Sequence, residues 1–120
     1  MRAILETLIA LSLLAEPALP SPKHPGFVDA PTLAALCTAD PVIEPEAPAI
    51  CLGYVVGAVD QLFMDVDGGP RRPCLPDHIT AEEIVALVRA NAFIAAGSEG
   101  SGAADFLRDM LQEAFPCPVT

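Results

Sequence analysis

The chain contains no tryptophan and a single tyrosine, Tyr54, so its apolar mass is alanine, leucine, isoleucine and valine. Alanine and leucine are strong helix formers, which tilts the composition towards helix. Positive charge is equally scarce: six Lys and Arg stand against 16 Asp and Glu, a net of −10. With no basic stripe to neutralise a row of phosphates, nucleic-acid binding is excluded. Attraction to an anionic membrane surface fails for the same reason. The acidity fits a solvated surface, and it leaves room for a basic protein partner. No alternating apolar–polar run of useful length is present, so a sheet is not expected. The cysteines include no C-x-x-C pair, and neither His24 nor His78 lies at ligand spacing from a cysteine. A structural zinc site is therefore not supported.

What is present begins with an N-terminal apolar run. Arg2 followed by residues 7–15 reads as an export signal over residues 1–20, with Glu6 out of place in it and no clean small-residue cleavage motif. The run is too short to span a bilayer, so no membrane association is expected beyond the signal itself. Residues 21–26 complete a proline-rich spacer that favours extended geometry. The remaining domain, residues 27–118, carries four cysteines, Cys37, Cys51, Cys74 and Cys117. An even number at wide spacing in an exported chain of this size reads as a disulfide framework. The expected compartment is the periplasm.

The pattern along this domain is all-α, a four-helix bundle stapled by disulfides, with room for a short extra N-terminal helix. Asp29 is a candidate N-cap and Pro31 suits a first turn, opening a short helix over residues 32–37. Residues 38–48, with Pro41, Pro45 and Pro48, read as a solvated loop. A second helix is expected over residues 49–64, with Cys51, Tyr54, Val55, Ala58 and Leu62 on one face. Gly53 and Gly57 are unfavourable there by about 1 kcal/mol each relative to alanine, which points to a close helix approach. If Leu52, Val56, Val59 and Phe63 are exposed beside that face, they suit a homodimer contact. Thr80-Ala-Glu-Glu83 has the form of a capping box opening a third helix. Its inward face is expected to be Ile84, Leu87, Val88, Asn91 and Ile94. Residues 97–102 read as a flexible glycine break, and residues 103–115 as a last helix with Phe106, Leu107, Met110, Leu111 and Ala114 inward.

Cys37 closes the first helix and Cys51 opens the second, so an antiparallel hairpin brings them together. Cys74 precedes the third helix and Cys117 follows the last. If those two helices pair antiparallel, these ends also meet. The pairing expected among the three connectivities is Cys37–Cys51 and Cys74–Cys117. In the chain-entropy treatment such loops contribute roughly 3 and 4 kcal/mol, comparable with the whole net stability of a small domain.

The order of these signals resembles one family. Cys51-Leu-Gly-Tyr-Val-Val-Gly-Ala-Val-Asp60 matches a C-x-x-Y-x-x-G-x-x-D core, with Tyr54, Gly57 and Asp60 as its motif residues. Cys74-Leu-Pro-Asp-His-Ile-Thr80 matches a C-x-P-x-x-[VI]-T helix start through Pro76 and Thr80, and Phe115-Pro-Cys117 closes the pattern through Pro116. Together they resemble the Tai/Rap group of type VI secretion amidase immunity proteins over residues 26–118. The resemblance implies a small periplasmic helical domain, often a homodimer, that plugs the active site of a secreted cell-wall amidase and catalyses nothing. The alternatives are a periplasmic adaptor of the same fold and an acid-stress chaperone.

No catalytic residue, metal ligand or cofactor is assigned. All four cysteines are better explained as paired than as nucleophiles. Asp77-His78 sits at a helix entry, and Glu82/Glu83 complement the dipole of a first turn. Asp65-Val-Asp-Gly68 opens like a calcium loop, but proline occupies the sixth and twelfth places, Pro70 and Pro76. The partner contact is expected in the acidic loops and the glycine turn, through Glu44, Glu46, Asp65, Asp67, Ser98 and Glu99.

Overall fold

The computed structural model describes residues 26–64 and 72–118. The export segment and nearly all of the spacer lie outside those residues, as do Asp65 and Asp67. Five helices follow in order: α1 (Ala30–Thr38), α2 (Ala47–Met64), α3 (Ala81–Ala90), α4 (Ala92–Ala96) and α5 (Ala103–Ala114). The described residues hold no strand. An isolated antiparallel bridge joins Asp29 to Gly102.

α1 is the centre of the bundle, because it packs against each of the other four helices. A nine-residue helix is marginal alone in water, and four separate devices hold it. The Thr32 backbone N–H donates to Asp29 Oδ1 at 2.8 Å, which caps the N-terminus. The Ala30 N–H donates to the Ser101 carbonyl at 2.9 Å. At the other end, Arg89 Nε from α3 donates to the Cys37 carbonyl at 2.7 Å, bringing a cation to a helix C-terminus. Finally, Cys37 is bonded to Cys51 on α2, with Cα atoms 5.1 Å apart. Leu33 and Cys37 enter the main core with Cys51, Val55, Ile84, Val88, Leu107 and Leu111. Ala30 and Ala34 form a separate, smaller contact with Ala95 of α4, where the absence of bulk lets two helices approach closely.

α2 starts at Ala47, two residues earlier than expected, with Pro48 in its first turn, where a missing N–H costs nothing. Its inward face is led by the buried Cys51 and Val55, with Tyr54, Ala58 and Leu62 packed partly against the core. Gly53 and Gly57 do not mark a close approach. Both are exposed, and a Cβ at either would meet nothing within 4 Å, because they lie on the face of α2 turned away from the bundle.

The expected third helix is two helices. Asn91 divides them: its side-chain amide donates to the Leu87 carbonyl at 2.8 Å, competing with the regular ladder. The change of direction lays Ala95 on α1 and turns Ile94 outward, 61% exposed, where an inward position was expected. Val85 is buried instead. Ala114 is likewise exposed, at the last turn of α5. Residues 97–102 form a turn fastened by hydrogen bonds. Ser98 Oγ donates to the Ile94 carbonyl, Gly100 takes φ 82°, and Ala103 N–H donates to the Val28 carbonyl.

The second disulfide joins Cys74 to Cys117, with Cα atoms 4.9 Å apart. α1 packs against both α3 and α5, and Val88 of α3 shares one core with Leu107 and Leu111 of α5. The segment leading into α3 crosses the end of α5, where Cys74 N–H donates to the Phe115 carbonyl at 2.9 Å.

Two predictions follow from these anchors. Cys37 and Cys51 are 2% and 1% exposed, whereas Cys74 and Cys117 are open to solvent. Graded reduction of the native protein with alkylation and mass spectrometry should label Cys74 and Cys117 first, and simultaneous labelling of all four contradicts the burial difference. The Thr32 contacts hold the Asp29 carboxyl below its ordinary pKa. A depressed folded-state pKa contributes stability above the unfolded value that is lost as the pH falls through the folded one. Asp29→Asn keeps the cap but not the charge, so wild type should lose its stability advantage over it below about pH 4. A difference that does not change with pH contradicts this.

Candidate functional site

The segment from Pro73 to Thr80 forms a ridge on the surface. At its base Pro73 is buried and Cys74 is tied to the end of α5. At its top the capping box is complete, with Thr80 N–H donating to Glu83 Oε2 at 2.7 Å and Glu83 N–H donating to Thr80 Oγ1 at 3.2 Å. Between these anchors Leu75 and Ile79 pack partly on the core, while Pro76, Asp77 and His78 are exposed. Grooves run along both sides of the ridge.

The larger groove, about 380 Å³, separates the ridge from α2 and is lined by Val55, Val59, Phe63, Leu75, Ile79 and Ile84, with Asp60 and Asp77 at its polar margin. It opens on an unusually apolar helix. Val56 and Phe63 of α2 are 41% and 38% exposed. At one end of the groove the Arg72 guanidinium lies over the Phe63 ring, 4.6 Å from its centroid, in cation–π geometry. The second groove, about 320 Å³, lies between Pro76, His78, Ile79, Glu83, Leu87 and Phe115. Pro76 and Ile79 thus serve both.

Tyr54, the tyrosine of the sequence motif, is half-buried and packs partly against the core. α5 begins at Gly102, which has no side chain to cap it. The Tyr54 phenol lies near that first turn. Burial pushes its pKa up, opposed by the Ala104 amide and assisted by the charge of Asp105, so the phenol stays neutral at ordinary pH. Asp60, from the same motif, is exposed at the groove margin. Pro116 is exposed beside Cys117.

The residues expected to contact a partner are not brought into one patch. Glu44 and Glu46 are exposed beyond the C-terminal end of α1, where Asp40 organises the loop by accepting from Val42, Ile43 and Glu44. Ser98 and Glu99 belong to the turn bonded to the N-terminal end of α1, so a whole helix separates the two sets. Ser98 commits its hydroxyl internally, whereas Glu99 is exposed. Sequence reasoning did not single out the ridge as a surface. Its signal was the run of Leu75, Pro76 and Ile79 between a cysteine and a helix cap, too short to form an element and too apolar to be a solvated loop.

Fold and surface together define a cystine-bonded helical domain whose distinctive features are an apolar groove and exposed acidic groups at its margin. Among the described residues no cluster of three or more His, Cys, Asp or Glu is arranged to hold a metal ion. Comparison with family models matches residues 29–117 to the Rap1a immunity proteins. The match runs from the Asp29 cap to Cys117 and takes in all five helices and all four cysteines, and the chain belongs to this family. It is thereby an immunity protein directed against a secreted effector. Comparison with curated proteins and with solved structures returns no match.

Removing the cap of α3 should be measurable. Thr80→Ala deletes the acceptor for the Glu83 N–H and should lower unfolding stability by about 1 kcal/mol. Urea denaturation with an unchanged m-value checks this. A Thr80→Ala protein as stable as wild type contradicts the capping role.

Proposed function

We propose that the protein binds a type VI-secreted peptidoglycan amidase in the periplasm and occludes its active site. The family match over residues 29–117 carries this reading, because it makes the chain an immunity protein. The motifs built around Cys51, Tyr54, Asp60, Cys74, Thr80 and Cys117 narrow it towards the amidase-directed group by resemblance. Two disulfides suit an oxidising compartment, in agreement with an export signal over residues 1–20 and with a cell-wall enzyme as the target. Binding rather than chemistry is the mode of action in this reading. Asp77 and His78 stand in the open on the ridge, and the described residues include no buried polar or charged side chain.

Occlusion asks little of the inhibitor except rigidity and a complementary surface. A preorganised surface loses less conformational entropy on association, and here both ends of the ridge are fixed, one by a disulfide and one by a capping box. The test is direct. The cognate effector, identified by co-purification with the mature protein, should lose its hydrolysis of peptidoglycan on stoichiometric addition. Unchanged hydrolysis at molar excess of this protein overturns the proposal.

A further inference from the structure

We infer that the groove between α2 and the 74–79 ridge receives an apolar segment carrying a lysine or arginine, presented by the effector. The inference rests on the reading of the chain as an effector-binding protein and names the surface and the chemistry of the contact.

The groove has an apolar floor and an acidic margin. Val55, Val59, Ile79 and Ile84 line its interior, and a volume of about 380 Å³ accommodates one or two side chains. Asp60 from α2 and Asp77 from the ridge stand at its margin, both exposed. Neither carboxylate makes an ion pair or hydrogen bond with a described residue. An occupant that covered the floor with apolar atoms alone would strip water from these carboxylates without replacing it, which is unfavourable. An occupant that also brought a cation would convert that loss into charge-assisted contacts. The Phe63 end already shows the preference, since it holds the guanidinium of Arg72 against its ring.

The same inventory disfavours a second copy of this chain as occupant. Among the described residues the basic side chains are Arg72, Arg89 and Arg108. Arg72 is stacked on Phe63, Arg89 donates to the Cys37 carbonyl and Arg108 is paired with Asp105. A self-contact across this groove would set carboxylates against a chain of net charge −10 with its described cations already engaged. Like-charge juxtaposition of that kind opposes association. A basic partner meets no such penalty, and the acidic field of the whole chain accelerates its approach.

The experiment measures binding of the purified effector, identified by co-purification, to the mature protein by calorimetry at two ionic strengths. Asp60→Asn/Asp77→Asn should weaken binding about tenfold and flatten its salt dependence, as loss of two interfacial charges does. Val59→Asp should weaken it further, and Glu113→Gln, exposed near the end of α5 and outside the groove lining, should leave it unchanged. Thermal melts verify that each variant is folded, and the Asn variants alter only exposed side chains. If wild type binds the effector and the double Asn variant binds equally tightly, the groove assignment is wrong while the immunity reading stands. If wild type does not bind the effector, both fall. If the groove variants bind normally but change a wild-type dimer to a monomer in sedimentation, the occupant is a second copy and the inference is overturned.

Discussion

A helix too short to be stable alone holds the domain together. α1 has nine residues and touches every other helix, so its position decides theirs. It persists because both termini are satisfied from elsewhere in the chain: Asp29 and Ser101 serve its first turn, Arg89 and the Cys37–Cys51 bond its last. Its buried residues are Ala30, Leu33, Ala34 and Cys37, three of them small, which is what lets four helices gather around one.

The second disulfide has a different task. It lies at the surface and ties the approach to α3 across the end of α5, raising the ridge that divides the two grooves. α2 supplies the facing wall. By length and mean hydropathy, 1.5 over Ala47–Met64, α2 is apolar enough to cross a bilayer, yet it gives Cys51 and Val55 to the core and could not leave without breaking the first disulfide. Its exposed apolar residues are better understood as surface reserved for contact, since patches of this kind on soluble domains mark binding faces. One disulfide therefore holds the core and the other holds the ridge beside the grooves.

Local chemistry was legible in the sequence, and geometry across helices was not. Asp29 and the Thr80–Glu83 pair could be read as caps because a cap is decided within four residues. The inward stripes led by Val55, Val88 and Leu107 followed from periodicity alone. Asn91 escaped, because whether an asparagine amide bonds back to Leu87 and bends a helix depends on what the next turn must reach, here α1. Gly53 and Gly57 misled, since a glycine in a helix signals either a neighbour or an open face, and periodicity does not say which. Arg89 is 52 residues from the carbonyl that it serves, beyond any local pattern. The groove was hidden for the same reason: Asp60 and Asp77 sit on one margin only after the ridge has been folded against α2.

The central claim is that the protein meets its effector through α2 and the ridge, not through its acidic loops. Hydrogen–deuterium exchange of the mature protein with and without the effector tests this most directly. New protection concentrated in residues 52–63 and 75–81 is the predicted result. Protection confined to residues 39–46 and 97–102, with the groove exchanging as in the free protein, would contradict it.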